Sequence, residues 1–391
     1  MRILIAHNHY GEFATGGEAM VFNAESSLLE ENNIEIQKYE KSNSSIDNLG
    51  LLNKVRSVIN IHWSEDTIDE VGRVMDEFKP DILHVHNYKF VITPSIFKAA
   101  KDRGIKTVLT LHNYRLMVPC GNFMTKEGNV CERCMTQNPA NILLRRCAQG
   151  SILKSYLQYR LFTKTKNKLN QLTDLVDKYI VLSEFAKEKL IQTGVERKMI
   201  FIKPNFINPL KKTEVSKKVE RAVFIGRLSI EKGVANLLRN WENINYPLYI
   251  FGTGPMENEL KKNARNNSNI HLMGNWNNEE IKVFLRDSAF MVFPSIWYET
   301  FGLTIVEAMS VSVPVIASNL GPRSEIVIDK KTGLLYDINN DLAFTEKVKL
   351  LIENKELRKQ LGENAQEEYF KKYTPEENFE LLKKIYSDLL K

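Results

Sequence analysis

The sequence predicts an α/β protein built from two doubly wound parallel sheets, and three observations carry that prediction. Short β-branched and aromatic runs recur along the chain, separated by helix-length segments of mixed polarity, which is the rhythm of parallel crossover units. These runs fall into two series with a polar stretch between them. With 391 residues, the chain has room for two domains that each bury a core.

In chain order the first series is Ile3–Ala6, Ile82–His86, Thr107–Leu111, Tyr179–Leu182 and Ile200–Ile202, closing near Lys203-Pro204-Asn205. Lys211 to Lys218 is polar and reads as the linker. The second series is Ala222–Ile225, Leu248–Phe251, Ile270–Met273, Ala289–Phe293, Val315–Ala317 and Gly333–Tyr336. The expected division is therefore 1–205 and 206–374, both Rossmann-like. An amphipathic helix at 375–391 is expected to pack back on the first domain. No internal repeat or low-complexity tract interrupts this pattern.

Composition narrows the class. Hydrophobic residues make up 43% and charged residues 26%, as in soluble globular proteins. No apolar run approaches the roughly 20 residues of a membrane-spanning helix. The start, Met1 to His7, reads as a first strand rather than a signal peptide, so the expected location is the cytoplasm. Net charge is a mild +6 but unevenly placed. Between Asn141 and Asn170 stand Arg145, Arg146, Lys154, Arg160, Lys164, Lys166 and Lys168 without one acid. Ile152, Leu153, Tyr156, Leu157 and Leu161 fall there at helical spacing. Such a helix suits an anionic membrane surface, or is simply a solvated basic face. No nucleic-acid partner is expected.

In doubly wound sheets ligands bind beyond the carboxyl ends of strands, and the chemistry-bearing residues stand in those loops. After the apolar run Ala289–Phe293 come Glu299, the turn Phe301-Gly302-Leu303 and then Glu307 inside a predicted helix. A helix N-terminus offers unpaired N–H groups at the positive end of its dipole, which suits a phosphate. A carboxylate on either side suits hydroxyl groups at both ends of a diphosphate, as in a nucleotide-sugar. After Ala222–Ile225, Arg227 and Lys232 stand five residues apart; one clamps a phosphate through two donors and the other supplies a point charge. After the first strand, Gly16 and Gly17 permit close backbone approach to a phosphate or sugar.

With these residues in view, the chain resembles family 4 retaining glycosyltransferases (glycosyl transferases group 1) of the GT-B fold, in which two Rossmann-like domains face each other across a cleft. The resemblance runs over nearly the whole length. It rests on the glycine loop, Thr110-Leu111-His112-Asn113-Tyr114-Arg115, Val181-Leu182-Ser183, Pro204-Asn205, Gly226-Arg227 with Lys232, and Glu299-x7-Glu307. It implies an acceptor-side first domain and a donor-binding second domain. Arg227 and Lys232 would neutralise the donor's diphosphate, and the amides of Phe301, Gly302 and Leu303 would bind its oxygens. Glu307 would take the ribose hydroxyls, Glu299 the sugar hydroxyls, and Gly16, with Gly17 beside it, would approach the phosphate. His112 would contact the sugar near the reacting centre; the plainer reading is a hydrogen-bonded core histidine. His84 and His86 flank Val85 in what is counted as the fourth strand and are expected to be structural or cleft-lining rather than metal ligands.

The four cysteines, Cys120, Cys131, Cys134 and Cys147, all fall in the loop 118–150. Cys131-x-x-Cys134 has the spacing of one zinc half-site, and the other two thiols complete a candidate tetrahedral set for structural zinc. Four unrelated thiols are the alternative. Many relatives place the first Cys just before the proline; here Val118 holds that place and Cys120 follows Pro119.

The expected activity is a metal-independent, retaining hexosyl transfer from a UDP- or GDP-sugar to a hydroxyl of a lipid-linked or surface-polysaccharide acceptor, at the inner membrane face. The chain has no Asp-x-Asp pair of the kind that holds a divalent ion in glycosyltransferases of the other major fold. The rivals are a nucleotide-sugar 2-epimerase on the same fold and a non-catalytic sugar-nucleotide-binding assembly subunit.

Overall fold

The structure, a computed structural model, describes the whole chain except residues 12–15, 45–61, 90, 149, 173, 210–217 and 266, and the side chains of 165–172 and 341. Part of the glycine loop and most of the linker segment thus lie outside the described residues. The chain divides into two compact units. The first comprises Met1–Lys126, Cys131–Pro204 and Asn378–Lys391; the second comprises Glu127–Val130 and Asn205–Glu377.

The first unit holds six strands: β1 (Arg2–His9), β2 (Glu35–Ser42), β3 (Ile82–Val85), β4 (Lys106–Thr110), β5 (Lys178–Val181) and β6 (Ile200–Ile202). They lie in the order β2-β1-β3-β4-β5-β6, and every pairing is parallel. His84 thus sits in the third strand of the chain, not the fourth, and His86 lies just past its end. Ile3, Ile5, Ile82, Val108 and Ile180 form the sheet side of a core, closed by Phe22 and Leu29 and by Leu382, Ile385, Tyr386 and Leu389 of the helix Pro375–Leu390. The last four recur at helical spacing, which is why one stripe of that helix is apolar.

The second unit repeats the plan with β7 (Val219–Ile225), β8 (Leu248–Phe251), β9 (Ile270–Gly274), β10 (Ser288–Phe293), β11 (Val315–Ser318) and β12 (Gly333–Tyr336). Their order is β12-β11-β10-β7-β8-β9, again parallel throughout. Trp241, fully buried, anchors its core with Phe290, Ile250 and Leu334 and donates its ring N–H to Tyr246 O at 2.8 Å. Crossovers leave in opposite directions from β1 and β3, and likewise from β7 and β10. A crevice forms at such reversals because consecutive loops diverge. The segments that follow β7 and β10 carry Arg227 and Glu299; those that follow β3 and β4 carry His86 and His112.

Candidate functional site

In the second unit the loops after β7 and β10 are locked together at one point. Gly233 has φ of +68°, and a Cβ there would meet Pro294 O at 2.1 Å. Only glycine permits that approach. Ile296 N donates to Glu231 O at 2.9 Å across the same seam. The consequence is that Lys232 Nζ reaches Glu299 Oε1 at 2.7 Å, where Ser295 Oγ also donates at 2.6 Å.

Glu299 is buried, and burial alone pushes its carboxyl up. The Lys232 ammonium, the hydrogen bonds from Lys232 and Ser295, and Arg323 outweigh that and hold it below the ordinary value. Arg323, with no exposure, donates to Ser318 O at 2.8 Å, Trp297 O at 3.0 Å and Ser295 O at 3.0 Å. One guanidinium therefore fixes the loop that presents Glu299, using its rigid fork of donors.

Beyond that loop, Gly302 caps the helix Leu303–Ser310 at φ of +115° with no side-chain cap. The amides of Phe301, Gly302 and Leu303 donate to no acceptor among the described residues, so the first turn is open to an anion. Glu307, more than one turn further on, borders a small cavity with Lys282, Leu285 and Ser310. Its carboxylate makes no hydrogen bond or ion pair among the described residues. Burial raises its pKa, with Lys282 opposing. Arg227 is exposed and carries no ion pair among the described residues. The second unit thus joins Lys232 directly to Glu299, while Arg227 and the 301–303 amides on the same loops, and Glu307 in the helix that follows, have no such partner among the described residues.

In the first unit Gly16 and Gly17 are exposed at the start of the helix Gly17–Glu31, Gly16 being its extended N-cap. His112, just past β4, is 7% exposed and lines a cavity with Lys89, Arg115, Gln158, Leu161 and Phe162. Burial, with Arg115 nearby, lowers the Lys89 pKa to about 7. Phe162 is buried, whereas Ile152, Leu153, Tyr156 and Leu157 of the helix Ile152–Leu172 are all more than two-fifths exposed. The basic residues Lys154, Arg160 and Lys164 accompany that open apolar stripe; the side chains of Lys166 and Lys168 lie outside the described residues. No described helix is long and apolar enough to cross a membrane.

The four cysteines are free thiols. Burial pushes the Cys134 thiol up to about 12, with Cys120, Cys147 and Cys131 adding to the rise, so all four stand near one another. No three of their sulfurs converge as ligands would; the described residues form one such cluster, Glu25, His84 and His86. Sequence reasoning missed Glu25, Lys203 and Arg323 altogether.

Two family models match the chain: Glycosyltransferase Family 4 over residues 59–210 and Glycosyl transferases group 1 over residues 207–368. An uncharacterised glycosyltransferase of Methanocaldococcus jannaschii is 30% identical over 331 residues, 79% of this chain and 88% of that protein. A capsular polysaccharide biosynthesis glycosyltransferase of Staphylococcus aureus is 23% identical over 82% of this chain and 88% of its own length. Among solved structures, an Anabaena protein crystallised with UDP aligns over 99% of this chain and 100% of its own with a TM-score of 0.68 at 15% identity. The sucrose-phosphate synthase of Thermosynechococcus elongatus aligns over 100% of this chain and 99% of its own with a TM-score of 0.70 at 16% identity. These two likenesses establish the fold.

The lowered pKa of Glu299 sets a pH dependence. Its contribution to stability is complete above the ordinary carboxylate value of 4.5 and is lost as pH falls through the lower folded-state value. Replacing Glu299 by Gln is expected to cost about 1–3 kcal/mol at neutral pH. That deficit against the parent protein should shrink as pH falls below the ordinary carboxylate value of 4.5 and through the lower folded-state value. Calorimetric unfolding of both proteins across pH checks this; a deficit independent of pH contradicts it.

Proposed function

The chain belongs to the family 4, group 1 glycosyltransferases of GT-B fold, and we propose that it moves a hexose from a nucleoside-diphosphate sugar to a hydroxyl of a lipid-linked or surface-polysaccharide acceptor, with retention and without a metal ion. One observation supports the reading: at the strand reversal of the second unit Lys232, after β7, meets Glu299, after β10, and the chain from Glu299 runs on into a helix N-terminus with no side-chain cap. That is a site for an anion flanked by hydroxyl groups.

The chemistry follows from charge. Cleaving the anomeric bond leaves an oxocarbenium-like centre and a diphosphate with added negative charge. Arg227, Lys232 and the amides of Phe301, Gly302 and Leu303 stabilise that charge in place. The departing phosphate accepts the proton of the incoming hydroxyl on the same face, which gives retention. Glu299 holds the sugar hydroxyls, His112 meets the sugar, Glu307 holds the ribose, and Gly16 and Gly17 approach the phosphate. On the acceptor side, the open apolar stripe of Ile152, Leu153, Tyr156 and Leu157 beside Arg160 and Lys164 suits an anionic membrane face. The inner face of the membrane is the corresponding location. The cysteines enter as a structural zinc site on the strength of their grouping in one loop and the Cys131-x-x-Cys134 spacing.

The Anabaena relative has also been solved with UDP-glucose, which makes that donor the first probe. A thermal-shift series with UDP-, GDP-, ADP- and dTDP-sugars should show a rise for one nucleotide, since a ligand of the folded state must stabilise it. For that donor, Glu307→Ala should weaken binding by about 1–3 kcal/mol, or roughly fivefold to 150-fold, by titration calorimetry. Unchanged affinity removes Glu307 from the ribose. Chelator alone should lower the melting temperature if zinc holds the cysteine loop, and no change dismisses the zinc. Replacing both Arg160 and Lys164 with Glu should abolish flotation with anionic vesicles while donor affinity stays the same; retained flotation reduces the helix to a solvated face.

A further inference from the structure

A buried chain of titratable groups leads to His112, and the reaction scheme above uses only its last member. Glu25, with no exposure, lies on the helix Gly17–Glu31. Lys203 Nζ donates to its Oε2 at 2.6 Å and to Asn378 Oδ1 at 3.1 Å. Its Oε1 faces two imidazoles, His86 Nε2 at 3.2 Å and His84 Nδ1 at 3.3 Å. His84 also meets the hydroxyls of Tyr386 and Thr110, each at 2.7 Å. His86 then passes its other nitrogen onward: Nδ1 is 2.9 Å from His112 Nε2. The centroids of these two rings are 5.1 Å apart and their planes only 20° from parallel. The two nitrogens are closer than a face-to-face contact allows and lie between the ring centres. The rings therefore meet edge to edge, as an N–H···N hydrogen bond requires.

Glu25 Oε1 and the two imidazole nitrogens form a cluster of three ligand-type atoms, but a metal ion is a poor occupant because the Lys203 ammonium already holds that carboxylate. Proton counting gives a better account. The one negative charge of Glu25 is matched by Lys203, so a further cation on His86 would be buried with no acid to meet it. Glu25 is held ionised: burial pushes it up, but the Lys203 ammonium at 2.6 Å holds it well below the ordinary value. A bare lone pair on His86 Nε2 would face the carboxylate's negative charge at 3.2 Å, so the proton belongs on Nε2, close to Glu25 Oε1 although the two atoms are not aligned as a hydrogen bond. A neutral imidazole has one proton, which makes His86 Nδ1 an acceptor and His112 Nε2 the donor to it. Burial, with Lys203 adding and Glu25 opposing, keeps His112 neutral as well. Its Nδ1 is then a bare lone pair, and among the described residues it has no partner.

We propose that Glu25 and His86 are positioning residues that lock His112 as the Nε2–H tautomer, so that its Nδ1 accepts a hydrogen bond from a hydroxyl of the ligand in the cavity it lines. His112 thereby selects a hydroxyl donor and has no proton to offer a phosphate or carbonyl oxygen. This role rests on the reading of His112 as a residue that meets the sugar.

Two measurements test the lock separately from that reading. In the full-length protein with 15N-labelled histidine, long-range proton–nitrogen correlation spectra at pH 7 report the tautomer of each ring, and His112→Gln identifies the His112 signals. The expected pattern places the proton on Nε2 of both His86 and His112; a proton on Nδ1 of His112, or an imidazolium, overturns the proposal. Turnover comes second, with UDP-glucose as donor and UDP release as readout. His86→Leu removes the hydrogen bond, whereas His86→Asn leaves an amide close to the former Nδ1. The first should lower kcat by about tenfold or more with KM for UDP-glucose within about twofold, and the second should recover part of the loss. Equal losses in both variants, or a KM that rises in step, indicate a merely structural histidine and overturn the lock. If the parent protein releases no UDP from UDP-glucose, the donor reading is at fault, and the spectra still decide the tautomer.

Discussion

A carboxylate taken out of water must be met by cations and donors, and that constraint organises both units. The penalty for burying such a charge is several kcal/mol per ion before pairing. In the first unit Glu25 draws in Lys203 from beyond β6, with the two histidines flanking Val85, while Asn378 binds both Lys203 and Pro204 O. In the second, Glu299 draws in Lys232 and Ser295 and leans on Arg323. Each carboxylate fixes segments that are far apart in sequence at the carboxyl edge of a sheet, where loops would otherwise be held only by their ends. Glu307 is the contrast. It has no ion pair among the described residues, and burial pushes its pKa up against the weaker pull of Lys282.

Much of this architecture was legible in the sequence because parallel strands buried on both faces read as apolar runs. The strand that escaped is β2, Glu35 to Ser42, and the reason is physical. It lies at the edge of its sheet, pairs only with β1, and has Tyr39 as its one buried residue. An edge strand dominated by Glu, Gln, Lys and Ser carries no apolar signature, and its register comes from pairing along β1 from Arg2↔Glu35 onward. The terminal helix was legible for the opposite reason, since Leu382, Ile385, Tyr386 and Leu389 repeat on one face.

The site divides in the same way. Arg227, Lys232, Glu299 and Glu307 could be picked out because charged residues in loops after strands are where a doubly wound fold works. Glu25, Lys203 and Arg323 could not, because an isolated charge is ordinarily solvated. Glu25 did leave a trace: it occupies the apolar stripe of its helix between Phe22 and Leu29, where a surface acid has no reason to be. Arg323 left none, since its partners are carbonyl groups of the segment after β10 and of the last residue of β11. The basic helix shows a further limit. Helical spacing groups Ile152, Leu153, Tyr156, Leu157 and Leu161, yet the first four are open and Leu161 lines the cavity. Periodicity tells which residues share a face and is silent about what covers it.

The pairing of Lys232 with Glu299 also bears on what the second unit can bind. A phosphate that took Lys232 outright would leave a buried carboxylate without its nearest cation, and the gain at the phosphate would be offset by that loss. A ligand that brings a phosphate to Lys232 and hydroxyl donors to Glu299 in one event avoids the loss, because the hydroxyls replace what the carboxylate gives up. Under the proposed function Arg227, exposed and without an ion pair among the described residues, takes the phosphate with no bond to break. On the proposed reading the site therefore discriminates against inorganic pyrophosphate and in favour of a diphosphate that carries its sugar. Glu299 achieves this through its partnership with Lys232 as much as through its own contact with the sugar.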